Sequence, residues 1–136
     1  MKHTNHTVLL VEDDPDDVAM IMDALDGSTS SLNIVHKKNG LQAVNYLNEL
    51  TIKNSALPCI IIMDMNMPVI SGKQLLSIIK TEDRFRSIPV IVFTTSSNDG
   101  DKKFCNDLNV RMVTKPNGMT AFNKEVQAFI KDCTII

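Results

Sequence analysis

The stretch Cys59-Ile60-Ile61-Ile62-Met63-Asp64-Met65-Asn66-Met67-Pro68 decides how this chain folds. It opens as an unbroken apolar run rich in β-branched residues and ends on one carboxylate. A strand that is apolar at every position needs helices on both faces, as in a parallel sheet. Asp64 is the first polar side chain after the run, so it stands where the strand emerges at its carboxyl end. Pro68 has no N–H for a ladder, which makes Met65 to Pro68 the loop leaving the sheet. Taken alone, Asp64 would merely start a turn.

The rest of the chain repeats the pattern. Thr7 to Val11 forms another buried-type strand and runs into Glu12-Asp13-Asp14-Pro15-Asp16-Asp17. Asp14 before Pro15 is a capping carboxylate followed by proline at the first helical position. Asp16 and Asp17 then fall in a first helical turn, where the macrodipole favours anions. Val18, Ile21, Met22 and Leu25 give that helix its apolar face, and Gly27 ends it. Helix chemistry thus accounts for Asp14, Asp16 and Asp17 but leaves Glu12 and Asp13 unexplained.

Asn33 to His36 is a short strand, Asn39-Gly40 a turn, and Leu41, Val44, Tyr46 and Leu47 mark a helix before a loop from Thr51 to Pro58. Ser71-Gly72 opens a helix through Leu75, Leu76, Ile78 and Ile79; Thr81 to Ser87 is a charged connection; Ile88 to Phe93 is a strand ending in Thr94-Thr95-Ser96-Ser97. Asn98-Asp99-Gly100 leads into a polar helix that Asn109 stops, since asparagine tolerates the left-handed conformation. Val110 to Val113 is the last strand and closes on Thr114-Lys115-Pro116. The final helix carries Phe122, Val126, Phe129 and Ile130 on its apolar face.

The 136 residues suit a single domain with a core over about 7–132 and no output domain. A net charge of −2 gives no electrostatic footprint for nucleic acid or an anionic membrane. No apolar run reaches spanning length, and the N-terminus has no signal-peptide core. Cys59, Cys105 and Cys133 show no metal spacing and are expected as reduced thiols of a cytoplasmic protein, Cys59 as core filler. His3 and His6 belong to a terminus and not to a metal site.

Strands alternating with helices imply an α/β doubly wound parallel sheet of five strands in the order 2-1-3-4-5. Its first and third strands are then neighbours about 4.8 Å apart. Ligands bind such sheets at the carboxyl edge where strand order reverses. That edge carries Glu12, Asp13, Asp64, Thr94 and Lys115. Crowded carboxylates repel one another unless a cation intervenes, and hard oxygen ligands with room for water suit Mg²⁺ better than zinc. Acids, a divalent cation, a lysine and a hydroxyl are what phosphoryl transfer to an aspartate requires.

Val11-Glu12-Asp13-Asp14-Pro15, Met63-Asp64-Met65-Asn66-Met67-Pro68, Gly72, Thr94-Thr95-Ser96 and Lys115-Pro116 resemble the receiver domain of two-component response regulators, over essentially the whole chain. The style is that of stand-alone receivers serving phytochrome-like and other sensor kinases, on the flavodoxin-like fold. The resemblance implies that Asp64 is the phosphoacceptor. Asp13 and Asp64 would bind Mg²⁺ (or Mn²⁺), with the Asn66 backbone carbonyl and with Glu12 through water. Thr94 and Lys115 would contact the phosphoryl group, and Pro116 would hold the lysine loop through a cis peptide bond. Thr95 and Ser96 would tune hydrolysis. The implied donor is a sensor histidine kinase or histidine phosphotransfer protein, and the output an altered affinity for a downstream protein, or relay of the phosphoryl group. A monomer and a homodimer are both compatible with such a role, and the surface of the fourth helix, fifth strand and last helix is the interface by analogy.

This sequence departs from the family pattern at the switch position. Receivers of this kind usually carry Tyr or Phe three residues before the lysine; here that residue is Met112, and no aromatic occurs between Phe104 and Phe122. The segment before the last strand is also about one residue short, with Asn109 where glycine is common. An alternative is a phosphorylation-independent interaction module on the same fold. A flavin or nucleotide module is disfavoured by an acidic loop after the first strand. A dehalogenase-like hydrolase is disfavoured by Asn66 where a second acid is needed.

Overall fold

The computed structural model describes residues 7–26 and 32–133. The elements run β1 (Thr7–Val11), α1 (Pro15–Asp26), β2 (Asn33–Lys37), α2 (Gly40–Ile52), β3 (Ile60–Met63), α3 (Gly72–Thr81), β4 (Val90–Thr94), α4 (Asp99–Asp107), β5 (Arg111–Thr114) and α5 (Met119–Phe129), then a short 3₁₀ turn, Lys131–Cys133. The strands form one parallel sheet in the order β2-β1-β3-β4-β5, as expected. Gly27, His3 and His6 lie outside the described residues.

The apolar strands divide their side chains between two cores with a period of two. Leu9, Val11, Ile61, Met63, Val90 and Val92 face α2, α3 and α4, meeting Ala43, Leu47, Leu75, Leu76, Ile79 and Cys105. Val8, Leu10, Ile60, Ile62, Ile91 and Phe93 face α1 and α5, meeting Ile21, Leu25, Phe122, Val126 and Phe129. Each aliphatic side chain fully buried in this way contributes about 1.5–3 kcal/mol. Unbroken apolar runs are therefore a consequence of the double layer.

Several boundaries differ from the sequence expectations, each for a local reason. Asn39-Gly40 is no free turn: Asn39 caps α2, accepting from the Gln42 N–H at 2.9 Å. Gly40 is buried under Ile70, where a Cβ would meet the Ile70 Cβ at 2.8 Å. Thr51 and Ile52 still belong to α2, and Asn54 turns the chain with φ 55°. β4 starts at Val90 because Pro89 can offer only its carbonyl, which accepts from the Ile61 N–H at 2.9 Å. β5 runs one residue later than expected, through Thr114. The charged connection before β4 hides a core residue, Phe85, which is 1% exposed.

Cys59 and Cys133 form a disulfide across 74 residues, with a Cα separation of 5.5 Å. This corrects the expectation of reduced thiols and of Cys59 as filler. The fold sets the start of β3 beside the turn after α5, a juxtaposition that sequence spacing does not display. Cys105 is free and buried.

Candidate functional site

The pairing register decides what meets at the carboxyl edge. Val11 pairs with Met63, so the residues that follow, Glu12 and Asp64, leave the sheet at the same level. The Asp64 N–H donates to the Val11 carbonyl at 3.2 Å and the Glu12 N–H to the Lys37 carbonyl at 3.1 Å, extending the ladder to the acids themselves. One carboxylate oxygen from each of Glu12, Asp13 and Asp64 can lie within 4.8 Å of the others. Glu12 and Asp64 are buried, whereas Asp13 is exposed and leaves the cluster open to water on one side.

The loop after β3 is tightly seated. The Met65 N–H donates to Asp64 Oδ1 at 2.7 Å, fixing the carboxylate plane. Gly72 lies directly on this loop: its N–H donates to the Met65 carbonyl at 2.9 Å, and a Cβ there would stand 2.6 Å from the Asp64 carbonyl oxygen. Ser71 and Gln74 form a capping box that begins α3 at this point. Close backbone contact is why the chain carries glycine at this position.

Lys115 enters from the end of β5. Its N–H donates to the Thr94 carbonyl at 2.8 Å, which continues the β4–β5 ladder and delivers the side chain over the rim. The ammonium group bonds Asp17 Oδ2 at 2.7 Å and Glu12 Oε1 at 2.9 Å, and lies 3.7 Å from Asp64 Oδ2. Burial pulls the Lys115 pKa down, but its bonds to Asp17 and Glu12 and the charge on Asp64 outweigh it, so the net shift is upward. Burial is the largest influence on Glu12 and lifts it to about 7 despite the lysine. One ammonium is too little positive charge for these acids, and an all-oxygen, half-open cluster fits a hard divalent cation.

Among the other expected site residues, Thr94 is fully buried at the end of β4, and its hydroxyl accepts from the Ser96 N–H at 3.2 Å. Thr95 and Asn66 are exposed beside the rim, and Ser96 and Pro116 are half-buried. Among the described residues no peptide bond is cis, so the expected cis bond before Pro116 is corrected to trans. The ladder bond from the Lys115 N–H already aims the lysine, and trans is the ordinary preference even for an X–Pro bond. Met112 is half-buried against the α2–α4 core and lines a groove of about 550 Å³ with Lys102, Lys103 and Arg111.

Two site neighbours escaped the sequence reading. Asp17 was assigned to the helix macrodipole alone, yet it makes the shortest of the three Lys115 contacts. His36, at the end of β2, has Nε2 2.8 Å from the Glu12 carbonyl oxygen and braces the acidic turn from its far side. Its place in a strand adjoining β1 was the available signal.

Comparison with known proteins agrees with the geometry. The response regulator receiver domain family matches residues 8–127. The response regulator Rcp1 of Synechocystis sp. is 33% identical over 122 residues, covering 88% of this chain and 83% of its own length. A probable methanogenesis regulatory protein, FilR2 of Methanothrix harundinacea, is 31% identical over 88% of this chain and 78% of its own. The crystal structure of the phosphorylated cyanobacterial phytochrome response regulator RcpA superposes with a TM-score of 0.85 at 30% identity, covering 93% of this chain and 92% of that one. The Mn²⁺-bound form of Rcp1 gives a TM-score of 0.85 at 30% identity, over 96% of both chains. Among the described residues no helix is long and apolar enough to cross a membrane. An acidic cluster at the carboxyl edge of a 2-1-3-4-5 sheet, and kinship over most of the length, lead to one conclusion: this chain belongs to the response regulator receiver domain family.

Proposed function

We propose that Asp64 accepts a phosphoryl group from a phosphohistidine of a sensor kinase or phosphotransfer protein. The observation that carries this is the meeting of Glu12, Asp13 and Asp64 within 4.8 Å beside the buried ammonium of Lys115. An Asp64 carboxylate oxygen attacks phosphorus, forming an acyl phosphate. The N–P bond of the donor breaks, its electron pair returns to the imidazole nitrogen, and that nitrogen takes a proton from solvent. Asp13 and Asp64, with the Asn66 carbonyl and with Glu12 through water, would hold Mg²⁺ or Mn²⁺, which offsets charge on the equatorial oxygens. Lys115 is poised to follow the new phosphoryl group, since its ammonium already lies 3.7 Å from Asp64. Thr94 supplies a hydroxyl from the adjoining strand. The chain is an acceptor that assists its own reaction and passes the signal on by changing its affinity for a partner or by relay.

The phosphorylation-independent module is the weaker reading, because a buried, fully assembled acid–lysine cluster is costly to keep without use. Transfer from a histidine-phosphorylated phosphotransfer domain tests the proposal directly. Label should move to the wild type in Mg²⁺ and fail to move to Asp64→Asn. Equal labelling of both proteins would overturn it.

A further inference from the structure

The loop between β4 and α4 holds a hydrogen-bond circuit that extends beyond the Asn98 cap of α4. Ser96 donates its N–H to Thr94 Oγ1 at 3.2 Å and its hydroxyl to Asp101 Oδ2 at 2.7 Å. The other carboxylate oxygen of Asp101, Oδ1, pairs with Lys73 Nζ at 3.1 Å. The backbone closes the same knot. The Asp101 N–H donates to Asn98 Oδ1 at 3.1 Å, and the Asn98 N–H donates to Ser96 Oγ at 3.2 Å. An acid in the first turn of a helix is favoured by the macrodipole wherever its side chain points. That effect places Asp101 but does not require each oxygen to hold a different element.

The ends of the circuit matter most. Lys73 follows Gly72, which is packed against the backbone of Asp64 and Met65. Thr94 is the buried hydroxyl at the end of the adjoining strand. Asp101 therefore joins two paths, one from the Asp64 loop through α3 and one from Thr94 through Ser96. An isolated Lys73–Asp101 pair at an exposed surface would be worth little. The Asp101 side chain, however, is only 14% exposed, and it also holds the Ser96 hydroxyl. With a lone pair committed to the Ser96 N–H, the Thr94 hydroxyl keeps its proton to donate elsewhere.

We infer that Asp101 is a positioning residue: through Ser96 it orients the Thr94 hydroxyl toward the phosphoryl group on Asp64, and it couples that hydroxyl to the start of α4. This rests on Asp64 being the phosphoacceptor. The Ser96 bond also holds the Asp101 carboxyl below its ordinary range, so the acceptor is charged at neutral pH.

The test is the rate of phosphorylation by acetyl phosphate in saturating Mg²⁺, followed by intact mass, together with the rate of hydrolysis after the donor is removed. Asp101→Leu should slow both by about tenfold, because a misaimed hydroxyl loses its contact with the transferring oxygens. Ser96→Ala should match it, and the double variant should be no slower than either. Asp101→Asn keeps an oxygen for the Ser96 hydroxyl and should stay within about twofold of wild type. In a Thr94→Ala background Asp101→Leu should have no further effect. Melting temperatures of all variants should agree within roughly 3 °C, which a purely structural role would not produce. Wild-type rates in Asp101→Leu, or an undiminished effect of it in the Thr94→Ala background, would overturn the inference while leaving Asp64 as acceptor. Absence of any adduct on wild-type Asp64 from acetyl phosphate and from a histidine-phosphorylated phosphotransfer domain, together with no Mg²⁺ binding, would remove the acceptor reading and this inference together.

Discussion

Lys115 Nζ is bonded to Glu12 Oε1 at 2.9 Å, whereas its distance to Asp64 Oδ2 is 3.7 Å. The lysine is thus anchored on the acid of β1 and leans toward the acid of β3. This arrangement offsets charge on the cluster while the two short bonds of the ammonium go to Glu12 and Asp17 and not to Asp64. Removing the lysine strands a buried glutamate, which ordinarily costs about 3–5 kcal/mol. Glu12 already sits at about 7, above its ordinary 4.5, so a proton can take the place of the ammonium near neutrality. A group whose pKa is raised on folding supports the fold when protonated, and that support is lost as pH rises through the folded value. Lys115→Met should therefore lose about 1–2 kcal/mol at about pH 6 and more than twice that at about pH 8.5. Urea denaturation in the presence of chelator at the two pH values checks this, and an equal loss at both would contradict it.

Gly72 should not tolerate even one methyl group. An alanine Cβ would come within 2.6 Å of the Asp64 carbonyl oxygen, and backbone atoms cannot swing aside as a side chain can. Gly72→Ala should cost about 3 kcal/mol in urea denaturation and slow phosphorylation by displacing Asp64. A variant of wild-type stability would show that the loop yields more readily than its packing implies.

Val69 is a β-branched residue held at φ 71° and is 71% exposed. The left-handed conformation costs an L-residue about 1–2 kcal/mol, and little burial offsets it here. Val69→Asn keeps the loop shape with a side chain that tolerates this region. It should raise the melting temperature by roughly 2–4 °C. A lower melting temperature would mean that the valine side chain is packed more firmly than its exposure indicates.

The disulfide makes a prediction of its own. Unfolded without reductant, the chain should take up one alkyl group, at Cys105; after reduction it should take up three, one per cysteine. Folded, it should take up none, since Cys105 is 1% exposed and burial pushes its thiol pKa up. Reduction should lower the melting temperature on the order of 10 °C, because the bond closes a 74-residue separation. Three alkyl groups on the unreduced, unfolded chain would contradict the pairing.

Much of this molecule was legible from its sequence for a simple reason. A strand buried on both faces leaves an unbroken apolar run, and its first polar residue marks the carboxyl edge. Glu12, Asp64 and Thr94 stand out that way. Asp13 follows Glu12, and Lys115 closes β5, a strand with exposed Arg111 and Thr114, so both were placed by strand order. Asp17 and Lys115 are 98 positions apart, and no periodicity links them; the pair exists because β5 brings its lysine back over the first turn of α1. Cys59 and Cys133 meet for a similar reason at the opposite end of the sheet. Asn39 looked like a turn residue because cap and turn use the same side-chain chemistry, and only the register of α2 separates them.

The acceptor role of Asp64 is tested most directly by incubating the protein with Mg²⁺ and a small-molecule phosphodonor and measuring intact mass. One phosphoryl adduct is expected, lost on chelation and absent from Asp64→Asn. No adduct together with no Mg²⁺ binding, or an adduct that persists in Asp64→Asn, would contradict it.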